Sequence, residues 1–284
     1  MNSKYSLKQL LADKDVMEEI RNKQGKTALE SAAGGFTDGS ESRLDLVLGS
    51  NESGITGGDY TQLEAIVLLT GRPPLLIQDG KWETPKLATI KDRLDKKKDA
   101  LLDTIPKVGR IEVLNLGDYL GTGWMLDKGI MITNRHVAEV FAARMDNSFD
   151  FKRDITGDRY QVRVDFRREH ERTAEWQAKI SDILFLEESG GVRPDMALIR
   201  LDARGAALPE PIPLDHANPE FDVDIAVIGY PAVDSRNDAF AMKKIFGDIY
   251  NVKRLSPGKV RGVDFDGNAS STIARLWGET PVRS

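Results

Sequence analysis

The chain has 284 residues, 40% of them hydrophobic, and 40 Lys+Arg stand against 45 Asp+Glu for a formal net charge of −5. That is enough apolar chain for one large or two modest cores, and the charge balance offers no basic footprint for nucleic acid. With no cysteine in the sequence, disulfides, a thiol nucleophile and thiolate metal sites are all excluded.

The first stretch, MNSKYSLKQLLADKDVMEEIRNK, is charged throughout and lacks the apolar run of a secretory signal. No segment approaches the ~18 continuous apolar residues of a membrane span. The expectation is a soluble, cytoplasmic protein with neither membrane nor nucleic acid as partner. Leu7, Leu10, Leu11, Val16, Met17 and Ile20 recur at helical spacing and predict an amphipathic helix over 5–22. GGFTDGSES and GSNESGITGGDY supply loop chemistry, and TQLEAIVLLTG (61–71) reads as a short buried helix closed by Gly71. TPKLATIKDRLDKKKDALLDTIP (84–106) predicts another helix, with Thr84 as N-cap, Pro85 at the first helical position and Pro106 at its stop. Its KDRLDKKKDA run reads as a solvated face. Residues 1–106 therefore read as a mostly helical N-terminal region without a catalytic constellation. Its apolar faces should pack on the rest of the chain or on a partner, as a regulatory or adaptor element.

Beyond Pro106 the pattern changes. VGRIEVLN, YLGTGWMLD, GIMITN, RYQVRVDF, AKISDILFLEE, DMALIRLD, VDIAVIGYP and NVKRLSPGKV are short β-rich runs punctuated by Gly, Asp, Asn and Pro. Such spacing predicts a β-barrel or sandwich rather than a parallel α/β sheet. The fold class expected is mainly β from residue 107 onward.

Within GTGWMLDKGIMITNRHVA, a Gly-x-Gly entry leads through two strands and a Lys-Gly turn into Thr-Asn-x-His-Val, where a helix begins. A lone His136 in that place is most simply a structural residue, and a lone Asp195 before an apolar strand is as readily a turn cap as a functional carboxylate. Together, TNRHV and PDMALIRLD resemble the histidine and aspartate motifs of the trypsin-like serine peptidases, in their bacterial form. The resemblance implies a double β-barrel and a serine endopeptidase acting on protein or peptide substrates. His136 would be the general base and Asp195 the buried carboxylate that fixes the imidazole tautomer and stabilises the imidazolium. VDIAVIGYP and KRLSPGKV are similar to the opening strands of the family's second barrel, and His precedes Asp as in the trypsin-like order. The peptidase domain would span 107–284, with a first barrel over about 107–205 and a partial second barrel over about 219–284.

The family's nucleophile sits in a Gly-x-Ser-Gly turn whose backbone N–H groups form the oxyanion hole, and no Gly-x-Ser-Gly occurs in this sequence. GNASS places Ala269 and Ser270 where serine and glycine are wanted, so it reads as a hairpin turn between KVRGVDFD and STIARLW; Ser270 and Ser271 are the nearest candidates. The residues after KRLSPGKV are too few for a closed second barrel. The expected completion is a partner chain or a downstream domain covering its open edge. An alternative of a different class is an inactive pseudoprotease that serves as a protein–protein interaction module.

Other motifs yield little. GGFTDGS lacks the lysine of a phosphate loop, and DNSFDFKRD (146–154) lacks the glycine and terminal Glu of a calcium loop. The three histidines lack zinc-ligand spacing, which leaves His170 and His216 as surface or loop residues. No cofactor or metal is expected.

Overall fold

The computed structural model describes residues 73–114, 116, 118–146, 148–189, 193–202, 205, 207–215, 217, 219–231, 239–265 and 272–276. The helices expected over 5–22 and 61–71, the GGFTDGS loop, His216, Ser270 and Ser271 lie outside the described residues.

The described chain opens with a hairpin, β1 (Leu75–Gln78) and β2 (Lys81–Trp82), followed by helices α1 (Ala88–Asp95) and α2 (Lys98–Thr104) and a 3₁₀ turn at Ile105–Lys107. This differs from the sequence reading in two ways. The predicted 84–106 helix is two helices that start later: Leu87, not Thr84, takes the N-cap position, with no side-chain cap hydrogen bond. Pro106 lies inside the 3₁₀ turn. The break falls at Lys96 and Lys97. There the chain changes direction so that Ile90 and Leu94 from α1, and more loosely Leu101 and Leu102 from α2, pack against one apolar cluster. An uninterrupted helix would carry its apolar stripe straight past that cluster. The KDRLDKKKDA segment is mostly exposed, as its charges require, except for Leu94 and the half-buried Arg93, which pairs with Asp224 at 3.2 Å. The second difference is that β1 is not part of a helical prefix. It pairs antiparallel with β12 (Arg254–Phe265), Leu75 opposite Leu255, so this part of the 1–106 region shares a sheet with the second half of the chain.

Six strands then close a barrel: β3 (Val108–Val113), β4 (Asp118–Asp127), β5 (Ile130–Thr133), β8 (Val162–Asp165), β9 (Gln177–Leu186) and β10 (Ala197–Asp202), in the order β10-β5-β4-β3-β8-β9. Between β5 and β8 come helix α3 (Arg135–Phe141) and a hairpin, β6 (Ala142–Met145) with β7 (Ser148–Phe151). The period-2 apolar pattern of these strands points inward, where Ile111, Met125, Met131, Val164, Ile180, Ile183 and Ile199 meet Val137, Ala138 and Phe141 of α3. Two of the glycines shape the approach to α3. Gly129 takes φ +71° in the Lys-Gly turn, and a Cβ at Gly121 would lie 2.5 Å from Cγ2 of Val137, so only a glycine lets α3 settle onto β4.

The remaining strands form a second sheet, β11 (Asp224–Gly229), β12, β1 and β2 in that order, with β13 (Thr272–Leu276) also on β12; helix α4 (Ala239–Phe246) lies between β11 and β12. The β12–β13 pairing, Phe265 opposite Thr272, is the hairpin that the flanks of GNASS predict. Buried polar groups tie this sheet to the barrel. Lys253, fully buried, donates to the carbonyls of Ile105 (2.8 Å) and Phe166 (2.7 Å). The Tyr119 hydroxyl donates to the Tyr230 carbonyl, and the Tyr230 N–H donates to Thr122 Oγ1 at 3.0 Å. Arg110, which pairs with Glu112 inside the barrel wall, also donates to the Asn251 carbonyl at 2.7 Å.

Candidate active site

The barrel brings His136 and Asp195 together by register. β5 and β10 are antiparallel neighbours with Ala197 opposite Thr133. The chain leaving β5 through Asn134 into α3 therefore emerges at the same end of the barrel as the chain entering β10 from Asp195. Asn134, at φ −70° and ψ 143°, is the extended residue that turns the strand into the helix. Its amide Nδ2 donates to Asp195 Oδ2 at 3.2 Å. The His136 backbone N–H donates to Asp195 Oδ1 at 3.0 Å, and ring atom Nδ1 lies 2.5 Å from Asp195 Oδ2. One carboxylate thus holds the amide, the ring and the neighbouring asparagine, which sets the position and rotation of the imidazole. With Nδ1 engaged, Nε2 is the nitrogen available to take a proton.

The pair is not deeply buried. The His136 side chain is 62% exposed and that of Asp195 38% exposed. This differs from the buried carboxylate that the resemblance implies. Partial burial pulls the Asp195 carboxyl upward, but the hydrogen bonds from the His136 amide and ring, with the charges of His136 and Arg135, outweigh it and hold it below its ordinary value. Below the site, Thr133 Oγ1 donates to the Thr122 carbonyl at 2.8 Å, so the end of β5 is fixed to β4. Inside TNRHV neither Asn134 nor Arg135 carries a sequence signal for its role, because hydrogen bonds across 61 residues of chain leave no local pattern.

A probable serine protease of Lysobacter enzymogenes is 30% identical to this chain over 224 residues. In sequence the chain is similar to a serine protease. That match takes in 69% of this chain and 57% of the relative, so the chain spans little more than half of that protein's length. No family model matches. Among solved structures, Deg5 aligns with a TM-score of 0.39 at 19% identity, covering 65% of this chain and 75% of that one. Rv3671c of M. tuberculosis H37Rv, in an inactive form, aligns with a TM-score of 0.33 at 18% identity, covering 58% and 60%. The closed six-stranded barrel followed by a second antiparallel sheet is itself the trypsin-like arrangement, its second barrel incomplete among the described residues.

Two other expectations concern places away from this pair. His170 sits in the loop after β8, where its backbone N–H donates to the Ile77 carbonyl at 2.9 Å, a structural role. Among the described residues no group of three or more His, Asp or Glu side chains could hold a metal ion, and no helix is long and apolar enough to cross a membrane.

Proposed function

We propose that this chain carries the acid–base half of a serine endopeptidase site, with His136 as general base and Asp195 as the carboxylate that orients it. The observation that carries the reading is the 2.5 Å contact between His136 Nδ1 and Asp195 Oδ2, reinforced by the amide hydrogen bond to the same carboxylate. A serine hydroxyl is a weak nucleophile at neutral pH. A neutral imidazole accepting its proton at Nε2 would lower the barrier to attack on a peptide carbonyl, and Asp195 would stabilise the imidazolium so formed. The substrate would be a protein or peptide, and a partner chain or a further domain would cover the edge of the second sheet.

The second reading is an inactive interaction module; these 284 residues hold no Gly-x-Ser-Gly. A fluorophosphonate probe separates the two. The 284-residue chain should not be labelled. A chain extended through a Gly-x-Ser-Gly turn and further second-barrel strands should be labelled, and His136→Ala or Asp195→Asn should abolish most of that signal. Labelling that survives both substitutions removes the assignments of His136 and Asp195. An extended chain that folds without taking up probe favours the interaction module. Labelling of the unextended chain that Ser270→Ala or Ser271→Ala removes would make GNASS a divergent nucleophile turn.

A further inference from the structure

Arg135 stands between Asn134 and His136 in the first turn of α3, and its side chain is 19% exposed. Nη1 donates to the carbonyl of Glu188 at 3.0 Å, while Nε lies 3.6 Å from Glu139 Oε1 and 4.0 Å from Asp195 Oδ1. We propose that Arg135 is a positioning residue for the His136–Asp195 pair, clamping the segment that carries Asp195 onto the helix that carries His136. The inference rests on the reading of that pair as the working site.

The connection from β9 to β10 delivers Asp195. At its base Leu186 is paired with Ala197, and the Glu187 N–H donates to the Met196 carbonyl at 3.1 Å. These contacts secure the strand ends but not the placement of the connection against α3. Arg135 supplies that link by reaching Glu188. Its planar fork can serve a carbonyl on one side and carboxylates on the other, which the compact ammonium of a lysine cannot do at once. The charges facing Asp195 from α3 are His136, Arg135 and, next to Arg135, Glu139. The connection also carries Glu187, Glu188 and Arg193, which pair with one another, Arg193 with Glu188 at 2.6 Å and with Glu187 at 3.3 Å. Arg135 thus faces Asp195 and Glu139 with a buried Nε that makes no hydrogen bond, while its Nη1 is anchored on the Glu188 carbonyl.

The test uses two readouts on the full chain that need no catalysis: the ¹³C titration of the Asp195 carboxyl and hydrogen exchange of the His136 amide. Arg135→Met should raise the Asp195 midpoint and speed exchange of the His136 amide several-fold. Arg135→Lys, which keeps the charge and loses the fork, should return the midpoint toward wild type while exchange stays fast. If Arg135→Met does not fold, the Arg135→Lys exchange rate alone decides. Wild-type midpoint and exchange in a folded Arg135→Met chain, or wild-type exchange in Arg135→Lys, would overturn the proposal. In an extended, probe-reactive chain, Arg135→Met should lower kcat with little change in KM. If the titration and exchange effects appear but no extended chain reacts with probe, Arg135's role stands and the peptidase reading falls.

Discussion

In the barrel, β10-β5-β4-β3-β8-β9 pair in a closed ring, whereas the second sheet runs from β11 to β2 and ends in open strands among the described residues. The difference extends to what fills them. The barrel encloses a continuous apolar core, to which α3 adds Val137, Ala138 and Phe141. The second sheet has a smaller cluster, Leu75, Ile77, Leu87, Ile90, Leu94, Ile105 and Leu255, to which α1 and α2 contribute. It meets the barrel through buried polar side chains such as Lys253, Tyr230 and Arg110. Ring closure lets register alone place two distant residues together, because a strand that slips must break both of its ladders. An open sheet has no such constraint and relies on cover and on hydrogen bonds to its neighbour.

That contrast can be broken most severely from the barrel side. Phe141 is fully buried and its ring lies 6.2 Å from that of Phe151. Phe141→Ala should cost about 3–5 kcal/mol, read as a lower urea midpoint. A loss under about 1 kcal/mol would mean that the barrel core collapses readily around the gap. On the sheet side, Leu94→Ala should cost about 2 kcal/mol, the low end for a buried leucine, since the smaller cluster can relax. Amide exchange should then quicken in β1 and β12 before β3 and β4. Equal acceleration in all four strands would show that the two regions open as one unit.

A third prediction concerns the junction. Burial pushes the Lys253 ammonium down to about 7, against the upward pull of Glu169 and Asp165 and with the downward push of Arg172 and Arg167. Between about 7 and the ordinary lysine value of 10.5, the unfolded chain holds a proton that the folded chain has released. Stability should therefore rise with pH across that window, by at most about 1.4 kcal/mol per pH unit. Below it both states are protonated and the dependence fades. Thermal melts of wild type and Lys253→Met at pH 7 and 9 check this, and parallel slopes would show that Lys253 keeps its proton in the fold.

The smallest effect is expected at Asp195. Its carboxyl is held below its ordinary value, so it contributes stability that is present above the unfolded value of 3.8 and is lost as pH falls through the folded one. Asp195→Asn should flatten the acid limb of the melting curve slightly, because the group is partly exposed and solvent screens it. An unchanged acid limb would mean that the His136 contacts do not bias the protonation of Asp195.

The sequence by itself determined the local pieces of this protein. Alternating apolar residues and turn glycines marked β3, β4, β5, β8, β9, β10, β11 and β12, since a strand's two faces and a turn's backbone demands are written within a few residues. TNRHV and PDMALIRLD pointed to His136 and Asp195 only through their resemblance to the motifs of a known family. What only the tertiary structure decided depends on distant chain. The Asp79-Gly80 pair in PPLLIQDGKWE is a local hairpin signal that joins β1 to β2, but the ladder between β1 and β12 is set by distant chain. The 84–106 helix breaks because one cluster must be reached from two directions. The β6–β7 hairpin forms where the chain after α3 folds back, with the Lys152 N–H donating to the Phe141 carbonyl at 2.7 Å. Arg135 reads as an ordinary helical cation until the β9–β10 connection brings Glu188 and Asp195 beside it. Contacts between residues far apart in the chain follow from closure of the barrel, which no local window of sequence contains.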